Sequence, residues 1–197
     1  MFRPTLYLAG PEVFLSNALE ISNQKKQICT KYGFHGLFPL DGALENLTQL
    51  PIEEQSQKIS EANERLITEA DGVIANCTPF RGVSMDVGTG YEIGFARALG
   101  KPVFGYTNVD ATYEHRANRY NATLTSDSLD PYTRDTEIER FGLFENLMIA
   151  VALRSFGAEA DVVRTNVDAG RELTDLSGFE TCLCQARTVF AAAFKRK

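Results

Sequence analysis

Apolar residues fall in short unbroken runs separated by stretches with helical spacing. Thr5 to Ala9 (TLYLA), closed by Gly10 and Pro11, reads as a buried strand ending in a turn. Ser16 or Asn17 is placed to cap a helix running to about Tyr32. Phe34 to Leu37 makes a second short strand, and FPLDG then turns the chain through Pro39 and Asp41-Gly42. From Glu53 to Ala70 the apolar positions Ile59, Ala62, Leu66 and Ala70 recur at helical spacing just after Pro51, which gives the best-defined helix of the chain. Gly72 to Asn76 (GVIAN) is a third strand, followed by the polar turn TPFRGVSMD and a glycine-punctuated helix from about Thr89 to Leu99. Gly100 stops that helix and Pro102 to Tyr106 (PVFGY) is a fourth strand. Strands that are apolar throughout and alternate with helices predict an α/β fold whose parallel sheet is covered on both faces. Ligands of such sheets bind at the carboxyl ends of the strands, where the strand order reverses.

The rhythm breaks from Asn108 to Arg140, a polar segment without apolar periodicity that carries Tyr113, Tyr120 and Tyr132. A loop of that length is expected to be functional or disordered. Leu143 to Phe156 resumes a helical pattern through Leu143, Leu147, Ala150 and Leu153, and a last helix is expected over Asp175 to Lys195, ending in the basic FKRK. Basic side chains there complement the helix dipole and read as a solvated end. The whole of 1–197 is expected to form one domain, with an insert at about 108–140 and a C-terminal helical extension at about 157–197.

Composition narrows the partners. With 44% apolar and 23% charged residues in 197, the chain has the makeup of a soluble globular protein, able to bury roughly 70% of its unfolded surface without staples. Its 26 acidic against 20 basic side chains give a net charge of −6, which repels nucleic acid and anionic membranes and leaves small molecules or other protein chains as partners. Cys29, Cys77, Cys182 and Cys184 lack the paired two-residue spacing of a zinc or redox site, and only His35 and His115 add imidazoles, so no metal is expected. No leader pattern and no run of ~18 apolar residues is present, which makes the cytoplasm the expected location.

The stretch DVGTGYEIGFA, Asp86 to Ala96, invites a phosphate-binding reading and fails it. A dinucleotide fingerprint needs glycine where Ile93 stands, and a phosphate loop needs a Gly-Lys-Ser/Thr ending. Asp86 and Glu92 also bracket the turn, and carboxylates oppose the charge of a phosphate. The glycines suit close approach of backbone to a neutral ligand or a neighbouring strand.

Three carboxylates are expected on strand ends or loops of the same sheet edge: Asp71 where the chain enters the third strand, Asp86 after it, and Glu92 in the first turn of the next helix. Thr89 and Glu92 have the spacing of a capping box, in which the carboxylate would satisfy helix amides. Glu92 also shares a helix face with Phe95, Ala96 and Leu99, which would aim it into an apolar wall. Asp71 closes a helix, an unfavourable place for a carboxylate unless it has another purpose. Tyr7, on the first strand, is either a core aromatic or a hydroxyl that holds a carboxylate in place.

Taken together, TLYLAGPEVF (Thr5 to Phe14), FPLDG (Phe38 to Gly42), ADGVIAN (Ala70 to Asn76), DVGTGYEIGFARALGKPV (Asp86 to Val103) and, more weakly, FENLM (Phe144 to Met148) resemble the nucleoside 2-deoxyribosyltransferases. The resemblance implies a flavodoxin-like doubly wound parallel sheet of about five strands with helices on both faces, exchanging the base of a 2-deoxynucleoside with a free purine or pyrimidine. It implies Glu92 as the nucleophile, Tyr7 as the hydroxyl that orients it, and Asp71 as the group handling the base. Asp86 falls at a sugar-hydroxyl ligand, Phe14 at an aromatic packing on the base, and Gly10 and Gly88 at substrate-binding turns. Asn146 corresponds to an asparagine lent to a neighbouring subunit's sugar site, so a homo-oligomer is implied, and no cofactor is.

The chemistry suits these residue types. A carboxylate captures the oxocarbenium-like sugar as an ester, and an acid with a raised pKa protonates the departing base. A second base then attacks the ester, with overall retention. Two other readings compete. One is a 2-deoxynucleoside 5′-monophosphate N-glycosidase, a relative that resembles this chain in its Glu-bearing helix but carries a serine where Asp86 stands and a basic turn where GPEVF brings Glu12. The other is a non-catalytic nucleoside-binding sensor, since the fold alone does not fix function.

Overall fold

The computed structural model describes residues 3–42, 47–124, 136–154 and 162–194. Five strands form one sheet: β1 (Thr5–Ala9), β2 (His35–Leu37), β3 (Gly72–Asn76), β4 (Val103–Thr107) and β5 (Val163–Arg164). Their order is β2-β1-β3-β4-β5 and every neighbouring pair is parallel. This is the doubly wound arrangement expected of the sequence, and its order reverses between β1 and β3. The register pairs Tyr7 with Val73 and Ala9 with Ala75, so the carboxyl ends of β1 and β3 open side by side.

Six helices accompany the sheet among the described residues: α1 (Ala18–Lys31), α2 (Ile52–Glu69), α3 (Val87–Ala98), α4 (Tyr113–Asn121), α5 (Leu147–Ala152) and α6 (Ser177–Phe194). Alternation along β1 divides the core in two. Leu6 and Leu8 point to one face, where Cys29 and Phe34 of the α1–β2 unit and Phe179, Cys182, Leu183 and Ala186 of α6 cover them. Tyr7 and Ala9 point to the other, against Ile67 of α2, Ile93 and Ala96 of α3, and Ala150 of α5. None of these helices is long and apolar enough to cross a membrane.

Two expectations change, and the fifth strand of the expected sheet comes from an unmarked segment. Part of the polar 108–140 segment is helical: α4 buries only Ala117 but is capped by Thr112, whose Oγ1 accepts the His115 amide at 3.3 Å. Arg116 ties it down, donating to the carbonyls of Val83 at 2.7 Å and Ala111 at 2.6 Å and pairing with buried Glu145. Tyr132 and the middle of that segment lie outside the described residues. Of the helix expected over Leu143 to Phe156, the described part is Leu147–Ala152, because Leu143 and Phe144 pack as a loop against the core before Asn146 caps it, and Phe156 lies outside the described residues. Finally, β5 is two residues long, too short to register as an apolar run. The basic FKRK end lies largely outside the described residues.

Candidate active site

Glu92 lies on α3, which begins where the chain leaves the carboxyl edge of β3. Its carboxylate does not turn back to cap the helix. Asp86 takes that place, its Oδ2 accepting from the amide and the hydroxyl of Thr89 at 2.9 and 3.0 Å. Glu92 is thereby left free to reach the sheet, where the Tyr7 hydroxyl donates to its Oε1 at 2.5 Å. Tyr7 is wholly buried beneath it, so the phenol is fixed by packing and its hydroxyl has one direction to point.

The surroundings hold Glu92 above the usual carboxylate range, at about 7. Burial is the main cause; the Tyr7 hydrogen bond pulls the other way, and the charges of Asp86 and Glu12 add to the rise. The Tyr7 phenol is pushed far up by burial and by the adjacent carboxylate, so it remains a donor at any working pH.

Beside Glu92 opens a cavity of about 430 Å³ between α2 and α3, lined by Ser56, Ser60 and Asn63 from one helix and Gly88, Tyr91 and Glu92 from the other. That volume falls in the range of small-molecule sites. Gly88 is thus at the cavity wall, and a side chain there would crowd Asp86 Oδ2 at 3.1 Å. In the sequence Asn63 is one of several polar positions on α2, and only the packing of α3 gives its face a meaning.

Asp71 does not join this group. It precedes β3 at the amino edge, roughly 16 Å of strand from Asn76 at the other end. There its Oδ2 accepts the Thr5 amide at 2.7 Å, and its own amide donates to the Thr5 carbonyl at 2.8 Å. This clamp on the start of β1 is the purpose behind a carboxylate at the end of α2, whose last carbonyls are satisfied by Lys101 Nζ at 2.8 and 2.5 Å.

Gly10 also has a different explanation. A Cβ at this position would lie 2.0 Å from Glu12 Oε2, so the missing side chain makes room for a protein carboxylate. Glu12 is completely buried, ion-paired with Lys25, and accepts from Asn76 Nδ2 at 2.9 Å and Tyr106 hydroxyl at 3.1 Å. It does not line the cavity, so of the two differences from the glycosidase only Asp86 bears on the site.

Phe14, half exposed, follows the β1 turn and stacks on Phe80 with centroids 5.5 Å apart; the Arg81 guanidinium lies 5.0 and 4.7 Å from the two rings. Asn146 caps α5: its Oδ1 accepts the Met148 amide at 3.0 Å and its Nδ2 donates to Glu139 at 2.6 Å, so both ends of the amide are engaged within its own chain. Among the described residues no cluster of His, Cys, Asp or Glu is arranged to hold a metal ion.

Fold and site together describe a doubly wound α/β protein with one tyrosine-held carboxylate at its switch edge, facing a small-molecule cavity. The pattern of the nucleoside 2-deoxyribosyltransferase family matches residues 6–148, and the chain belongs to that family. A 2-desoxiribosyltransferase from Leishmania mexicana superposes with a TM-score of 0.56 at 25% identity, covering 81% of this chain and 89% of that one. A conserved protein from Enterococcus faecalis V583 shares the fold, with a TM-score of 0.55 at 17% identity over 94% and 99% of the two chains. An uncharacterized protein of Schizosaccharomyces pombe is 37% identical over 129 residues, which span 65% of this chain and 61% of the yeast protein.

Proposed function

We propose that the protein exchanges the base of a 2-deoxynucleoside with a free nucleobase through a covalent deoxyribosyl ester on Glu92. The observation that carries this reading is the Tyr7–Glu92 pair: a carboxylate in the first turns of α3 passes over the helix amides, bonds a buried phenol and faces a cavity. An ester-forming carboxylate needs a fixed attack direction and a weakly hydrated anion, and both follow from this packing. In the first half-reaction a Glu92 oxygen forms a bond to C1′ as the C1′–N bond breaks, its electron pair going to the base. The entering base reverses these steps, with a ring nitrogen supplying the pair and the carboxylate leaving. In this reading Asp86, which has a second carboxylate oxygen beyond its helix cap, accepts from a sugar hydroxyl, with Gly88 beside it.

A homo-oligomer belongs to the same reading. Val87, Tyr91, Met148 and Val151 leave large apolar surfaces exposed on α3 and α5, helices that pack on each other, and a neighbouring copy would cover them. The segment of Asn146 would then lie at a subunit boundary. Light scattering should give a mass of at least two chains.

The test mixes deoxyinosine or deoxythymidine with free adenine and follows deoxyadenosine. Exchange supports the transferase, whereas base release without exchange would point to a hydrolase, and neither to a binding protein. Glu92→Ala should bind nucleoside but lose turnover by about 10³-fold or more, the scale of losing a nucleophile. Full activity in that variant would refute the assignment.

A further inference from the structure

The polar segment after β4 has no part in the reaction proposed above, yet one of its side chains reaches the loop that carries Asp86. Between β3 and α3 the chain runs over residues 77–86 and closes on Asp86, whose carboxylate caps the helix. From the helix side Asp86 is held by that cap and by its carbonyl, which accepts the Gly90 amide at 3.0 Å. From the loop side the hold comes from residues remote in sequence. Buried Glu145 accepts from the Ser84 hydroxyl at 2.6 Å and the Asn146 amide at 3.0 Å on Oε1, and from the Met85 amide at 3.0 Å on Oε2. Arg116 of α4 donates to that Oε2 at 3.1 Å and, through Nε, to the Val83 carbonyl at 2.7 Å. Val83, Ser84 and Met85, which lead into Asp86, are therefore all bonded to one ion pair whose side chains are 9% and 0% exposed.

Such a pair is a poor source of stability, because desolvating both charges offsets most of their attraction. What it supplies is direction: a carboxylate engaged on both oxygens has little rotamer freedom, and the segment bonded to it has one path. Resting on the transfer reading above, we infer that Arg116 and Glu145 are positioning residues that fix residues 83–85 and so aim the second oxygen of Asp86 at a sugar hydroxyl. Neither lines the cavity, so both act through Asp86. Met85, buried in the core, anchors the loop but does not set the direction of its peptide. Displacing a group that orients substrate by about 1 Å can cost on the order of 100-fold in rate. Helix α4 thereby serves the site by delivering one guanidinium to it.

The experiment measures transfer from deoxyinosine to adenine in wild type, Glu145→Gln, Asp86→Asn and the double variant, with folding checked by circular dichroism and melting. Glutamine keeps the size and one acceptor but gives up the second carboxylate oxygen and the charge that orders Arg116. Glu145→Gln should lose about 5- to 30-fold in kcat/KM, mostly through KM, part of the value of a hydrogen bond to a charged group. The double variant should match Asp86→Asn within about twofold, since a residue that acts through Asp86 has nothing left to aim. Ser84→Ala, a milder change at a half-buried hydroxyl, should show the same pattern at smaller size and carries the test if Glu145→Gln does not fold. The Glu145→Gln loss should also shrink below about threefold on whichever of 2′,3′-dideoxyinosine and 2′,5′-dideoxyinosine lacks the hydroxyl that Asp86 meets. Losses that multiply in the double variant, or that are equal on all three donors, would assign the pair to the fold alone and overturn the inference. So would full activity in Glu145→Gln and Ser84→Ala. If wild type exchanges no base, the same proteins are compared for deoxyinosine binding by calorimetry. Losses that do not multiply would then support the positioning role while sinking the transfer reaction; multiplying losses, or no binding by wild type, would sink both.

Discussion

At the scale of single residues, the proposed chemistry rests on how Tyr7 and Glu92 share a proton-sensitive contact. In the proposed transfer Glu92 attacks only as the anion, so with its pKa at about 7 the rate should climb from pH 6 to pH 8. Tyr7→Phe removes the hydrogen bond that favours the anion, leaving burial unopposed. The expected outcome is an ascending limb moved to higher pH and a loss of about 10- to 100-fold at neutrality, read from kcat/KM profiles of the two proteins. A limb that stays in place would mean the phenol does not stabilise the carboxylate. The same shift is a statement about folding. Because Glu92 binds its proton more tightly folded than unfolded, ionising it costs stability, and the cost grows as pH rises from about 4.5 through about 7. Glu92→Gln keeps an acceptor for Tyr7 and cannot ionise. It should therefore be more stable than wild type at pH 8, by on the order of 1–3 kcal/mol, with the gap closing toward pH 5. Urea unfolding at the two pH values measures this, and a gap that widened at low pH would contradict it.

At the scale of elements, close approach decides what a sequence can reveal. Gly178, at the start of α6, lies over β4, and a Cβ there would sit 2.9 Å from Tyr106 Cδ2 and 3.2 Å from its Cβ. Gly178→Val should cost about 1–3 kcal/mol by pushing α6 off the sheet, seen as a lower melting temperature with the Glu92 profile unchanged. The apolar runs of β1, β3 and β4, and the spacing along α2, were legible because each carries its own period. The doubly wound five-stranded sheet and the pairing of Tyr7 with Glu92 became legible through the resemblance, since no local rule joins residues 85 positions apart. The capping-box alternative for Glu92 was locally sound, and it lost because Asp86 already supplied the cap. Asp71 was misplaced for a related reason. A residue beside a strand can lie at either sheet edge, and only the direction of the chain through β3 shows that Asp71 belongs to the amino one. Helix α4 was missed because capping and the ties of Arg116, not an apolar stripe, hold it.

Across the whole molecule, the two cores meet at the strand switch, and the buried Glu12–Lys25 pair sits at that junction. Glu12 joins the β1 turn to β3 through Asn76 and to β4 through Tyr106, while Lys25 brings in α1 and lies 5.7 and 5.2 Å from the centroids of Tyr106 and Phe179. Among the described residues only one Glu12 oxygen is bonded; Oε2 is buried without a partner there, so the group depends heavily on its lysine. Lys25→Met should leave an uncompensated buried carboxylate and destabilise the protein by about 3–5 kcal/mol. Adding Glu12→Gln removes that charge and keeps an acceptor for Asn76 and Tyr106, so the double variant should recover most of the loss. Stability alone would not link the junction to the site, but titration does. The Glu12 charge is one of the influences that raise Glu92, acting through the sheet from a position outside the cavity. The double variant should therefore carry its ascending pH limb at lower pH than wild type, opposite in direction to Tyr7→Phe. If its stability recovers and the limb does not move, the charge at the strand switch serves the fold alone, and the proton affinity of Glu92 is set within its own pocket by burial, Tyr7 and Asp86.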